Sequence, residues 1–208
     1  MYRIFGKPRS FTCAAISAVV VFGLTGCAAS SQLALTAKGD DGTLVADPGL
    51  QECLKANKIE TAADAAKATK MDCFDYKIKD LTGIEQLTHL TYLDMDMNEF
   101  SDLTPLSTLT KLEHLCLMGS RISDVSALSG LVNLKELDLD ETAVADLTPL
   151  KALSKLETLY ARNTKVADVT PLAGLKHLKQ VYLNGSEVRS VAPLKPQIKN
   201  GAHVLYDW

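Results

Sequence analysis

The sequence predicts an α/β solenoid, a stack of short coils whose strands form one parallel sheet. Two observations carry that expectation. First, Leu93, Leu115, Leu137, Leu159 and Val181 follow one another at 22-residue intervals, as do Asp80, Asp102, Asp124, Asp146 and Asp168. Phe100, Ile122, Val144, Val166 and Val188 keep the same period, as do Leu106, Leu128, Leu150, Leu172 and Leu194, and the column from Leu90 to Leu178. Self-similarity at such a period marks a repeat architecture, in which no unit buries its apolar face alone. Second, each unit contains a Leu-x-Leu segment or its equivalent, a short strand with leucines inward and the intervening residues outward.

Before the repeats, Phe11–Gly23 is an uncharged, mainly apolar run of 13 residues behind Arg3, Lys7 and Arg9. A spanning helix needs about 20 apolar residues, so the run suits the apolar core of a signal peptide. It leads into Leu24-Thr25-Gly26-Cys27, which resembles the lipobox of bacterial lipoproteins. That resemblance implies removal of residues 1–26, lipid on Cys27 and, with Ala28 next, passage to the outer membrane in a Gram-negative envelope. Lipid chains would hold the chain to a membrane by burying CH₂ groups, without a spanning helix. Residues 27–48 are small and polar and read as a flexible tether.

Residues 49–70 have helix-forming composition and are expected to form an N-terminal helical cap. The repeat domain follows over 71–208. Its unit, L-x-x-L-x-L-x-x-x-x-I/V-x-D-L/V-x-P-L-x-x-L-x-x, runs for example from Leu134 through Leu137, Leu139, Asp146 and Pro149 to Leu150 and beyond. This strongly resembles the leucine-rich repeats of the internalin-like bacterial class. The resemblance implies a right-handed solenoid with its parallel sheet on a concave face, short 3₁₀ turns outside and binding through the strand face. Within a unit, Asp can cap the turn after the strand, and Pro there costs no needed N–H. Where many such repeats carry Asn, this chain has Asn98, then Ser120, Thr142, Thr164 and Ser186. Their hydroxyls can still bond the turn backbone of their own or a neighbouring coil. Val204 and Tyr206 read as the inward residues of a last strand after a 23-residue step, with Trp208 and Pro193–Pro196 shielding the end.

Cys53 in the cap and Cys73, inward in the first coil beside Met71, stand either as a disulfide or as two buried thiols. An exported chain permits the bridge. Cys116 falls on the strand face, where an open thiol could pair with a partner.

The outward strand positions supply the candidate binding residues: Tyr92, Asp94, Asp96, His114, Met118, Glu136, Asp138, Asp140, Tyr160, Arg162, Tyr182 and Asn184. Aromatic and Arg side chains are common interface anchors, and the charges are segregated, acidic first and Arg162 beyond. A merely solvated face is the alternative. His114, Cys116, Asp94, Glu136 and Asp138 are of metal-ligand type but lack a closed shell on an open sheet. Asp138 and Asp140 invite an acid–base reading, yet an open face offers no cleft to shift a pKa. No nucleophile elbow or phosphate-binding Gly loop is present, so neither an enzyme nor a cofactor is expected. The net charge is −3, becoming −6 once three basic residues leave with the signal peptide, so a basic footprint for nucleic acid is absent. The expectation is a monomeric, lipid-anchored envelope protein that binds a protein partner, the alternative being a structural component contacting cell wall or glycan.

Overall fold

The computed structural model describes residues 45–207. The signal segment, Cys27, most of the tether and Trp208 therefore lie outside the described residues. Seven three-residue strands form one parallel sheet in sequential order, β1 Lys70–Asp72, β2 Tyr92–Asp94, β3 His114–Cys116, β4 Glu136–Asp138, β5 Thr158–Tyr160, β6 Gln180–Tyr182 and β7 His203–Leu205. Register is in step with the period: Leu93 pairs with Leu115, Leu137 with Leu159, and Val181 with Val204 across the 23-residue step. The solenoid expectation holds.

Packing follows from the columns. Leu93, Leu115, Leu137, Leu159 and Val181 have no exposed surface, and neither do Leu106, Leu128, Leu150, Leu172 and Leu194. After each strand the chain turns through 3₁₀ segments such as Thr104–Thr108, Ser126–Gly130 and Thr148–Ala152. The Asp column starts them. Oδ1 of Asp102, Asp124, Asp146 and Asp168 accepts the N–H two residues on, at 2.7 to 2.8 Å. The hydroxyl column survives in altered form: Ser120, Thr142 and Thr164 donate to the carbonyl three residues back in their own coil. Asn98 alone among these reaches the neighbouring coil, donating to the Cys73 carbonyl and accepting from the Ile78 N–H.

Helix α1, Pro48–Ala56, and the short α2, Ala62–Ala65, cover the first coil. Cys53 and Cys73 are bridged, with Cα atoms 5.4 Å apart. Asn57 closes the outer edge of β1 by accepting from the Asp72 N–H and donating to the Asp72 carbonyl. Val45 and Asp47 are buried, and Asp47 caps α1 through Leu50 N–H while its other oxygen accepts from Lys79 and Asp80. At the far end, helix α3, Lys195–Lys199, leads into β7, and Val204 and Tyr206 pack partly against the core. Among the described residues no helix is long and apolar enough to cross a membrane.

Candidate functional site

Outward side chains from equivalent strand positions stack along the sheet, a strand spacing of about 4.8 Å apart. The structure splits the twelve candidates into two groups. In the first, carboxylates fold down onto the backbone. Oδ1 of Asp94 accepts from Asp96 N–H, and Oδ1 of Asp138 from Asp140 N–H, at 3.0 and 2.8 Å. Asp96 and Asp140 reach the next coil instead, accepting from the N–H of Met118 and Arg162 at 2.7 and 2.6 Å. His114 Nδ1 lies 3.3 Å from Glu136 Oε2, with its ring centroid 6.3 Å from that of Tyr92.

These residues do not form a freely solvated face. Tyr92, Asp94, Asp96, Glu136, Asp138, Asp140 and Tyr160 are all buried, and Cys116, expected as an open thiol, is fully so. Backbone capping holds the carboxylates close to the sheet, and their crowding has an electrostatic consequence. Burial, reinforced by the charge of Asp94 and Asp138, pushes Asp96 up to about 8. Burial and the neighbouring Asp140 carry Asp138 to about 7. Tyr92 is also raised, by burial first and then by Asp94. The expectation that nothing on this face could shift a pKa is therefore corrected. Among the described residues no three His, Cys, Asp or Glu side chains are grouped to hold a metal ion.

The second group lies on β5 and β6 and the residues just after them. Tyr160 and Tyr182 stack with centroids 4.7 Å apart and planes within 5°. The Arg162 guanidinium sits 5.4 and 5.6 Å from the two ring centroids. Its Nε and Nη2 both reach Asp140 Oδ2, at 2.6 and 2.5 Å. Burial opposes its charge, but the bond to Asp140 together with the charges of Asp140 and Asp138 outweighs this and raises its pKa. Arg162, Tyr182 and Asn184 are half-exposed, as is Met118 on the preceding half of the face. Sequence reasoning missed Asp207, whose carboxylate accepts from Asn184 Nδ2 at 2.8 Å and Gly185 N–H at 2.6 Å. A signal was there: Asp207 stands 23 residues after Asn184, one β7 step along the column that holds Asp96 and Asp140.

Comparison with known proteins agrees with this geometry. Residues 110–152 match a family model for leucine-rich repeats, two copies. An internalin from Listeria monocytogenes is similar at 30% identity over 78% of this chain and 56% of its own, with a TM-score of 0.65. A leucine-rich repeat protein of Leptospira interrogans shares the fold at 21% identity, over 70% of this chain and 38% of its own, with a TM-score of 0.61. The fold is a leucine-rich repeat solenoid. This chain spans little more than half of the internalin and less of the Leptospira protein. No curated protein matches the sequence.

Proposed function

We propose that the chain is a binding module for another protein, anchored to a bacterial envelope through lipid on Cys27, and that its contact surface is the β5–β6 end of the strand face. The observation that carries this reading is the Tyr160–Tyr182 stack beneath Arg162, a guanidinium fixed by Asp140 and still half-exposed. Aromatic and Arg side chains held rigid lose little entropy on binding, which is how a preorganised surface gains affinity. Leucine-rich repeat folds generally serve protein–protein interaction, and the family match supports that level of the reading. Compared with the twelve positions first considered, the surface narrows to Arg162, Tyr182 and Asn184, with the buried Tyr160 supporting the stack. Asp94, Asp96, Asp138 and Asp140 serve the sheet's own backbone.

Affinity capture from solubilised envelope tests the proposal, with the purified chain as bait and a control carrying Arg162→Ala and Tyr182→Ala. A protein enriched by the unmutated bait alone is the expected result. Equal capture by both baits would remove the β5–β6 surface from the reading. Retention on isolated peptidoglycan by both baits, with no protein captured, would favour the structural role. Lipidation is checked separately, by the mass of the N-terminal peptide from membranes, which is expected to begin at acylated Cys27.

A further inference from the structure

The sequence contains Asn-Gly twice, at Asn184–Gly185 and Asn200–Gly201, both near the C-terminal end of the solenoid. Without a Cβ, glycine leaves its own N–H open to approach from the preceding side chain. In such a pair the glycine nitrogen can attack Asn Cγ. The new N–C bond forms as the nitrogen gives up its proton, Nδ2 leaves as ammonia, and a five-membered succinimide results. Water then opens the ring at either carbonyl, leaving Asp or isoaspartate. The net change is one water consumed and one ammonia released, with no oxidant or reductant.

The two pairs differ in what holds them. Asp207 binds both reacting groups of the first, the leaving Nδ2 of Asn184 at Oδ1 and the attacking N–H of Gly185 at Oδ2. Those bonds keep the Asp207 carboxyl below the usual carboxylate range, so it is ionised at neutral pH. Removing the Gly185 proton would place an amide anion against that carboxylate, which Coulomb repulsion opposes. Asn200, at the exposed C-terminal end of α3, is arranged otherwise. Its backbone N–H bonds Pro196 and Gln197, Gly201 N–H bonds Ile198, and among the described residues no carboxylate holds its side chain.

We propose that Asn184–Gly185 is a deamidation site kept latent by Asp207, and that its conversion releases the last strand. Once Asn184 becomes an acid, its carboxylate faces that of Asp207 and the 2.8 Å bond becomes a like-charge contact. The adjacent rung, from Leu183 N–H to the Leu205 carbonyl at 2.7 Å, joins β6 to β7 and is the first to weaken.

Trypsin places the two sites in separate peptides, 180–189 and 200–208, so one digest follows both by the mass gained on amide-to-acid conversion. During incubation of the purified chain at mildly alkaline pH, Asn200 is expected to convert about tenfold faster than Asn184, the factor that roughly one net hydrogen bond represents. Asp207→Ala should raise the Asn184 rate by about the same factor and leave Asn200 unchanged. In denaturant the two sites should converge. Equal native rates, or an equal rise at both sites in Asp207→Ala, would overturn the protective role of Asp207. The product is mimicked by Asn184→Asp, for which amide exchange at Leu183 should quicken while that at Leu139 holds. Unchanged exchange at Leu183 would overturn the release of β7.

Discussion

A single backbone position recurs in six successive coils and sets the cost of individual substitutions. Asp75, Met97, Gly119, Glu141, Asn163 and Gly185 stand 22 residues apart, and all have φ between +54° and +74°. This left-handed turn lets the N–H of the first five donate to the carbonyl of the next coil at 2.7 to 3.0 Å, extending the ladder beyond the strand. A residue with a Cβ gives up about 1–2 kcal/mol in that conformation, an expense the cross-coil bond offsets. Only two glycines and one asparagine signal the column, which is why the sequence hid it behind Asp, Met and Glu. Gly185→Ala should therefore cost about 1–2 kcal/mol, since the new Cβ also falls 2.2 Å from Asn163 Oδ1. Gly130→Ala, with open space around the added carbon, should change stability by less than about 0.5 kcal/mol. Urea midpoints at constant m-value decide both. Equal losses in the two variants would show that the left-handed column carries no particular cost.

Among the elements, the N-terminal cap holds the most varied chemistry. Helix α1 is tied to the first coil by the Cys53–Cys73 bridge, by Asn57 on the edge of β1 and by Asp47 beneath its first turn. An exposed strand edge invites pairing with other chains, and Asn57 removes that edge by taking up one N–H and one carbonyl. The cap's composition and the inward placement of Cys73 were legible in the sequence. Asp47 was readable too, because Asp followed by Pro is a helix-start pair, but the small polar residues around it made the segment look like a tether. Joining residues 20 apart, the disulfide restricts the unfolded chain, so Cys53→Ala with Cys73→Ala should cost about 3 kcal/mol. Denaturant titration of the double variant tests this. A loss under about 1 kcal/mol would mean that α1 is held by packing and by Asn57 rather than by the covalent link.

Across the whole molecule, the period determined nearly everything about the core and little about the state of the strand face. Alternation says which side chains point outward, and it put Tyr160, Arg162 and Tyr182 on that side. It is silent on whether an outward carboxylate reaches into water or folds back onto an N–H, because that depends on the geometry of the adjacent coil. Asp96, Asp138 and Asp140 took the second course. Folded pKa values of about 8 for Asp96 and about 7 for Asp138 stand above the unfolded value near 3.9. Between about pH 4 and pH 8 the native state thus binds more protons than the unfolded chain, and its stability falls as pH rises through that window. The exposed turn aspartates Asp102, Asp124, Asp146 and Asp168 act oppositely. Bonds from the turn residues lower their pKa values, so their contribution is present above the unfolded value and is lost as pH falls through the folded one. The two trends predict maximum stability near pH 4–5, with a decline of several kcal/mol by pH 8. Asp96→Asn with Asp138→Asn keeps an acceptor oxygen at each site and removes both charges, so it should flatten that decline and stabilise the fold at pH 8. Urea unfolding at half-unit pH steps measures the curve in both proteins, and a wild-type stability that holds level from pH 5 to pH 8 would show these carboxylates to be solvated and charged.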